Sequence, residues 1–200
     1  YKARNLALKK CKGKFVTFLD VDDWWAKSKL KKQVNFFLKD QTTEILYSNA
    51  FVYSEKKKTF KIFIKKKTSK IFIKKKLNSG KLTQKLLDKF EMPILSVMIK
   101  KNIFNQIKFD DRYTMIGDFD FFIRLSLIKK IAVIQEPLVY YRYHDSNLTT
   151  KKADLNIQEL ENWLTEKVKN KKLKYYNFSK IYRLIELLKI KKNFLKGNNL

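Results

Sequence analysis

The chain has 200 residues, enough for one domain with a real core, and sixteen Phe and ten Tyr exclude a disordered polypeptide. Four Gly and two Pro leave neither a P-loop nor a GxGxxG pattern, so any phosphate must be held another way. A net charge of +27 is carried almost wholly by lysine, with Asn, Ile and Phe abundant, which suits an AT-rich coding bias better than an Arg-aromatic nucleic-acid groove, though the field would still draw phosphorylated substrates and anionic lipid.

Taken in order, KARNLALKKCK (2–12) has helical spacing, and Gly13 is a helix stop. The lone Cys11 excludes an internal disulfide and fits a reducing, cytoplasmic compartment. No stretch approaches the roughly 20 apolar residues that span a bilayer, and no signal peptide opens the chain. The first residue is Tyr1, not Met, which predicts a fragment whose true beginning is missing.

The central stretch is FVTFLDVDDWW, Phe15 to Trp25. A strand over 14–19 ends in Asp20, Asp22 and Asp23, three acids that repel one another unless a cation lies between them. Side-chain alternation puts Asp20 and Asp22 on one face, where their oxygens can converge on a hard ion. The carboxyl end of a buried strand is also where open α/β sheets bind nucleotides. The expectation is a site for a divalent ion and a diphosphate; the alternative is a turn with a helix cap, since Asp serves both.

Leu30, Val34 and Phe37 predict an amphipathic helix over 27–39 with lysines outward, followed by a strand from Glu44 through Tyr53. Residues 56–76 hold eleven lysines and no acid, with KIFIKKK at 61–67 and again at 70–76. Two apolar triplets joined by Thr68-Ser69 predict a surface β-hairpin whose lysines guard its edges, with phosphate or membrane contact as the functional alternative. A helix follows on Leu82, Leu86 and Phe90, then a strand over Ile94–Ile99 and a short helix over Lys101–Ile107.

Residues 116–128, IGDFDFFIRLSLI, are apolar on almost every side and predict a buried helix starting near Asp118. There the helix dipole favours an ionised carboxylate, although a single Asp at a helix start also serves as an N-cap. Strands at Ile131–Gln135 and Leu138–Tyr143 are expected to be broken by Glu136-Pro137. The last fifty residues carry about +8 and two helices, near 155–168 and 179–190, which either lie on a membrane or pack back on the domain.

Three blocks together resemble family 2 glycosyltransferases with the GT-A fold: Ala3-Arg4-Asn5 with Gly13–Trp25 and Lys29–Val34, Gly117–Leu125, and Glu136–His144 with Asn147. The resemblance covers about residues 1–150 and implies an α/β, GT-A-like, Rossmann-type mixed sheet flanked by helices, here without its first strands. Residues 151–200 form a basic helical tail.

It further implies transfer of a sugar from a nucleotide-diphosphate donor to an acceptor hydroxyl, with inversion. The acceptor class is a saccharide or lipid-linked sugar in bacterial surface polysaccharide or glycolipid synthesis. The family's DxD motif falls on Asp20, near the ribose, and Asp22, at a Mn²⁺ or Mg²⁺ ion, with Asp23 beside them. Arg4, Trp24 and Arg142 are counted with Asp20 around the donor, and His144 with Asp22 and Asp23 as a metal ligand.

The general base falls on Asp118. The family's Glu-Asp pair reads Gly117-Asp118 here, which leaves Asp120 as the competing base. His144 has a surface role as its alternative, Arg142 an ion pair, and Trp24 with Trp25 a place in the core. The expected location is the cytoplasm, with peripheral contact at the inner face of the membrane. The competing readings are an inactive GT-A remnant and a basic nucleic-acid-binding domain, the latter with a steep salt dependence and no need for Asp22.

Overall fold

The computed structural model describes residues 1–56, 58–62, 76–145 and 147–197. A six-stranded mixed sheet has the order β1-β5-β3-β6-β2, with β4 pairing on β3. These strands are β1 (Phe15–Thr17), β2 (Trp24–Trp25), β3 (Ile45–Ser54), β4 (Thr59–Ile62), β5 (Met98–Lys100) and β6 (Ala132–Tyr143). Only β3 and β6 run parallel; the other pairs are antiparallel. This is an α/β molecule with helices on both sides of the sheet.

Strand alternation sorts the core into two layers. Val16, Ile45 and Ile99 point into the large cluster, while their neighbours Phe15, Leu46 and Met98 point to the opposite face, against Phe37 of α2 (Lys29–Lys39). The large cluster is closed by α3 (Thr83–Asp88), α4 (Gly117–Ser126), α6 (Ala153–Val168) and α7 (Ser179–Gly197), which supply Leu86, Phe122, Trp163 and Ile185. The C-terminal helices thus pack on the sheet's own core. Short α5 (Leu148–Lys151) precedes α6, and α1 (Lys2–Lys10) opens the chain.

Several elements depart from expectation. The first strand is only Phe15–Thr17, and Leu19 is exposed. The lysines of α2 do not all face outward: Lys29 and Gln33 lie on the buried face with Phe37, and Leu30 is 46% exposed. Ile94–Ser96 is a 3₁₀ turn that precedes β5, because Pro93 supplies no N–H and Ser96 Oγ turns back to its carbonyl. The expected break at Glu136-Pro137 is instead an irregularity within one twelve-residue strand, where Ser48 faces Ile134 but Asn49 faces Pro137.

The predicted Lys-rich hairpin lies largely outside the described residues; its first part, β4, pairs with β3 through Phe51↔Ile62 to Ser54↔Thr59.

Candidate active site

The sheet order builds the site. β2 follows the acidic turn directly and pairs with the end of β6, Trp24 opposite Tyr140. The turn is closed by the Asp23 N–H on the Asp20 carbonyl (3.1 Å). Pairing β2 with β6 lays the carboxylates beside Arg142 and His144, more than a hundred positions away in sequence.

Each acid of the turn has a different partner. Asp20 Oδ1 accepts from Arg4 Nη2 (2.7 Å), Asp22 Oδ2 lies 3.1 Å from His144 Nε2, and Asp23 Oδ1 accepts the main-chain N–H of Arg142 (2.7 Å). Burial, and then the nearby charges of Asp22 and Asp20, push the Asp23 carboxyl up to about 6 against the pull of the Arg142 N–H. His144 is steadied by Asn147, whose Oδ1 accepts the His144 main-chain N–H (2.7 Å). Asp22 and His144 are therefore brought together, whereas Asp23 ties the turn to β6. Among the described residues, no three His, Cys, Asp or Glu side chains surround one point.

Trp24 stacks on Tyr140 (centroids 5.1 Å apart, 8° between planes) and carries the Arg142 guanidinium 5.3 Å above its ring. Arg142 Nη1 reaches Glu55 (3.2 Å). Its Nε is the one buried side-chain nitrogen or oxygen among the described residues without a hydrogen-bond partner. A buried guanidinium N–H without an acceptor is costly in the free protein, and an anion's oxygen would relieve that cost.

The second acidic motif separates its two carboxylates. In α4 every residue is fully buried except Asp118 and Arg124, which are partly buried. Asp120 is fully enclosed, its oxygens taken by Arg124 Nε (2.7 Å) and Trp163 Nε1 (3.0 Å). Asp118 turns the other way: its Oδ1 accepts the Tyr1 hydroxyl (3.1 Å) and the Phe119 N–H (2.8 Å).

Burial raises the Asp118 pKa, and the Phe119 N–H, Arg4 and Tyr1 offset only part of the rise. The carboxyl therefore holds its proton more tightly than a free aspartate does. Burial, then the Asp118 charge, push the Tyr1 phenol up as well, which keeps it a donor.

Arg4 connects the two motifs. It bonds Asp20 and lies 5.0 Å from the centroid of the Tyr1 ring, and Tyr1 in turn bonds Asp118.

Three supports were not evident in the sequence. Tyr1 fills the space above Gly117, where a Cβ would come within 2.2 Å of its ring. Glu159 of α6 accepts the N–H groups of Thr114, Met115 and Ile116 at 2.7, 2.8 and 3.1 Å and so pins the segment that leads into α4. Lys29 donates to Thr17 Oγ1 and Gln33 Oε1, both at 2.8 Å, behind the Trp25 ring. A carboxylate reaching in from a distant helix leaves no local sequence signal, and neither does a buried lysine.

Residues 1–121, more than half of the chain, match the family model described as Glycosyl transferase family 2. The chain belongs to glycosyltransferase family 2. An uncharacterized glycosyltransferase, MJ1057 of Methanocaldococcus jannaschii, is 27% identical over 85% of this chain and 56% of its own length. The Escherichia coli UDP-Glc:alpha-D-GlcNAc-diphosphoundecaprenol beta-1,3-glucosyltransferase WfgD is 26% identical over 75% of this chain and 54% of its own. This family 2 chain spans about half the length of these curated relatives. Residues 1–349 of Staphylococcus aureus TarS share its fold, with a TM-score of 0.54 at 16% identity over 85% of this chain and 45% of TarS. No described helix of this glycosyltransferase is long and apolar enough to cross a membrane.

Proposed function

We propose that this family 2 glycosyltransferase moves a sugar, with inversion, from a nucleotide-diphosphate sugar to an acceptor hydroxyl in the synthesis of a bacterial surface polysaccharide or glycolipid. The observation that carries this reading is the connection from Asp20 through Arg4 and Tyr1 to Asp118, which joins the acidic turn to a carboxylate of raised basicity. A lipid-linked acceptor is drawn from WfgD, whose name describes one.

In the proposed step, Asp118 takes the proton of the acceptor hydroxyl as its oxygen attacks the anomeric carbon from the face opposite the donor diphosphate. The bond from that carbon to the diphosphate oxygen breaks, and the electron pair leaves with the nucleoside diphosphate. Asp120 is unsuited to the task, since both its oxygens are engaged and it has no exposed surface. Arg142 offers its unpartnered Nε to a donor phosphate, and Trp24 walls the same side.

A divalent ion fits the chemistry of the turn. Asp22 with His144 offers an oxygen and a nitrogen in contact, beside two further carboxylates whose mutual repulsion a cation would relieve. Asp22 and His144 would hold Mn²⁺ or Mg²⁺, and the bound ion would offset the charge of the departing diphosphate.

The test uses the complete polypeptide with a screen of nucleotide sugars. Asp118→Asn is expected to lower turnover by about 10²–10⁴-fold, and Asp22→Ala to abolish donor hydrolysis that depends on Mn²⁺. Wild-type rates in both variants would defeat the reading.

A further inference from the structure

A largely buried polar cluster flanks the acidic turn, and the proposed reaction does not use it. Three consecutive carbonyls before β5 each accept from a different side chain: Leu95 from Trp25 Nε1 (3.2 Å), Ser96 from Gln33 Nε2 (2.8 Å) and Val97 from Thr17 Oγ1 (2.6 Å). All three donors touch one residue. The Lys29 amine donates to Thr17 Oγ1 and Gln33 Oε1, each at 2.8 Å, and lies 4.2 Å from the centroid of the Trp25 ring. Thr17 is the last residue of β1, just before the turn, and Trp25 is the last residue of β2, just after it. Lys29 thus joins the strand that enters the turn to the strand that leaves it.

Lys29 has no exposed surface, and no carboxylate is among the partners of its amine. An ammonium shut away from water without a counter-charge is costly, and an apolar side chain of similar length would fill the same space without that cost. An apolar side chain could not bond Thr17 and Gln33. The turn has need of such a tie: its main-chain bond from Asp23 to the Asp20 carbonyl (3.1 Å) is opposed by the mutual repulsion of Asp20, Asp22 and Asp23.

We propose that Lys29 is a positioning residue: it fixes the two ends of the acidic turn against residues 95–97 and so keeps Asp22 beside His144. It acts through Thr17 and Trp25, not on the substrate. The effect on a bound ion rests on Asp22 and His144 being its ligands, whereas the effect on the turn does not.

Amide hydrogen exchange in the metal-free complete polypeptide reads the turn directly. In Lys29→Met, the Asp23 N–H and the Arg142 N–H, which bonds the Asp23 carboxylate, are expected to exchange about tenfold faster, the equivalent of one lost hydrogen bond. Amides of α4 should keep their wild-type rates. Thr17→Val keeps the branched shape without the hydroxyl and is expected to speed the same two amides. Lys32→Met deletes an equal charge from the exposed face of α2, where Lys32 pairs with Glu136, and is expected to change neither.

Titration with Mn²⁺, read by electron paramagnetic resonance of the free ion, tests the consequence. Removing a nearby positive charge by itself tightens cation binding. Loss of positioning instead raises the Kd of Lys29→Met about tenfold.

Wild-type exchange at Asp23 and Arg142 in both Lys29→Met and Thr17→Val, the same acceleration in Lys32→Met, or tighter Mn²⁺ binding by Lys29→Met overturns the assignment. Equal Mn²⁺ affinity in wild type and Asp22→Ala would instead defeat the ligands assigned to the ion and leave the exchange result standing.

Discussion

Gly117 and the Tyr1 ring occupy complementary space. A Cβ at position 117 would meet that ring between 2.2 and 2.6 Å, so a side chain there must drive the ring away and break the phenol's bond to Asp118. Losing a donor disfavours the ionised carboxylate and raises its pKa further. The acid limb of the pH–rate profile should therefore move to higher pH in Tyr1→Phe. Gly117→Ala should shift it in the same direction, and the double variant should shift it no more than either alone. A purely space-filling Tyr1 would leave the limb of Tyr1→Phe in place.

Lys29 makes a second prediction at this scale. Desolvation pushes its amine from an ordinary 10.5 down to about 7, with no carboxylate beside it to resist. Between those values the unfolded chain binds the proton and the folded chain does not, so stability rises with pH across the window. Below pH 7 both states hold the proton, and the folded state carries a buried charge. Denaturant titrations should show a gain on the order of 4 kcal/mol from pH 7 to 10.5, and Lys29→Met should remove most of that slope.

Among the elements, α6 decides how α4 is set. Trp163 and Glu159 of α6 reach, respectively, the buried carboxylate of Asp120 and the three N–H groups before the helix. Asp120→Ala leaves the Trp163 indole without its acceptor and Arg124 without its carboxylate. By analogy with other broken buried pairs it should cost about 3–5 kcal/mol in chemical denaturation. Any loss of turnover should follow the fraction unfolded. A variant folded like wild type but inactive would return Asp120 to the reaction.

Over the whole molecule, a charge of +27 surrounds a site that lacks a glycine-rich phosphate loop. Long-range attraction of this kind is screened within about 8 Å at physiological ionic strength. Binding to vesicles containing anionic lipid, measured by co-sedimentation, should fall steeply between 0.05 and about 0.5 M salt, while far-UV circular dichroism stays unchanged. Retained binding at high salt would indicate an apolar anchor instead of a basic surface.

Much of this arrangement is legible before folding, because it depends on neighbours along the chain. A five-residue apolar run into three acids marks the turn, and α4 shows in its all-round apolarity. The three-block pattern is sufficient to suggest the GT-A sheet and its family. Local rules fail where polar groups are paired across the sheet. Spacing predicted a lysine-lined outer face for α2, but Thr17 and Gln33 gave Lys29 a buried pocket.

Which of Asp118 and Asp120 keeps exposed surface, and which acid of the turn meets His144, depend on β6 lying between β3 and β2 and on α6 packing against α4. The physical reason is range. Propensity and periodicity act over a few residues, whereas burial and partnership of a single carboxylate are set by chain segments that sequence leaves 43 to 122 positions apart.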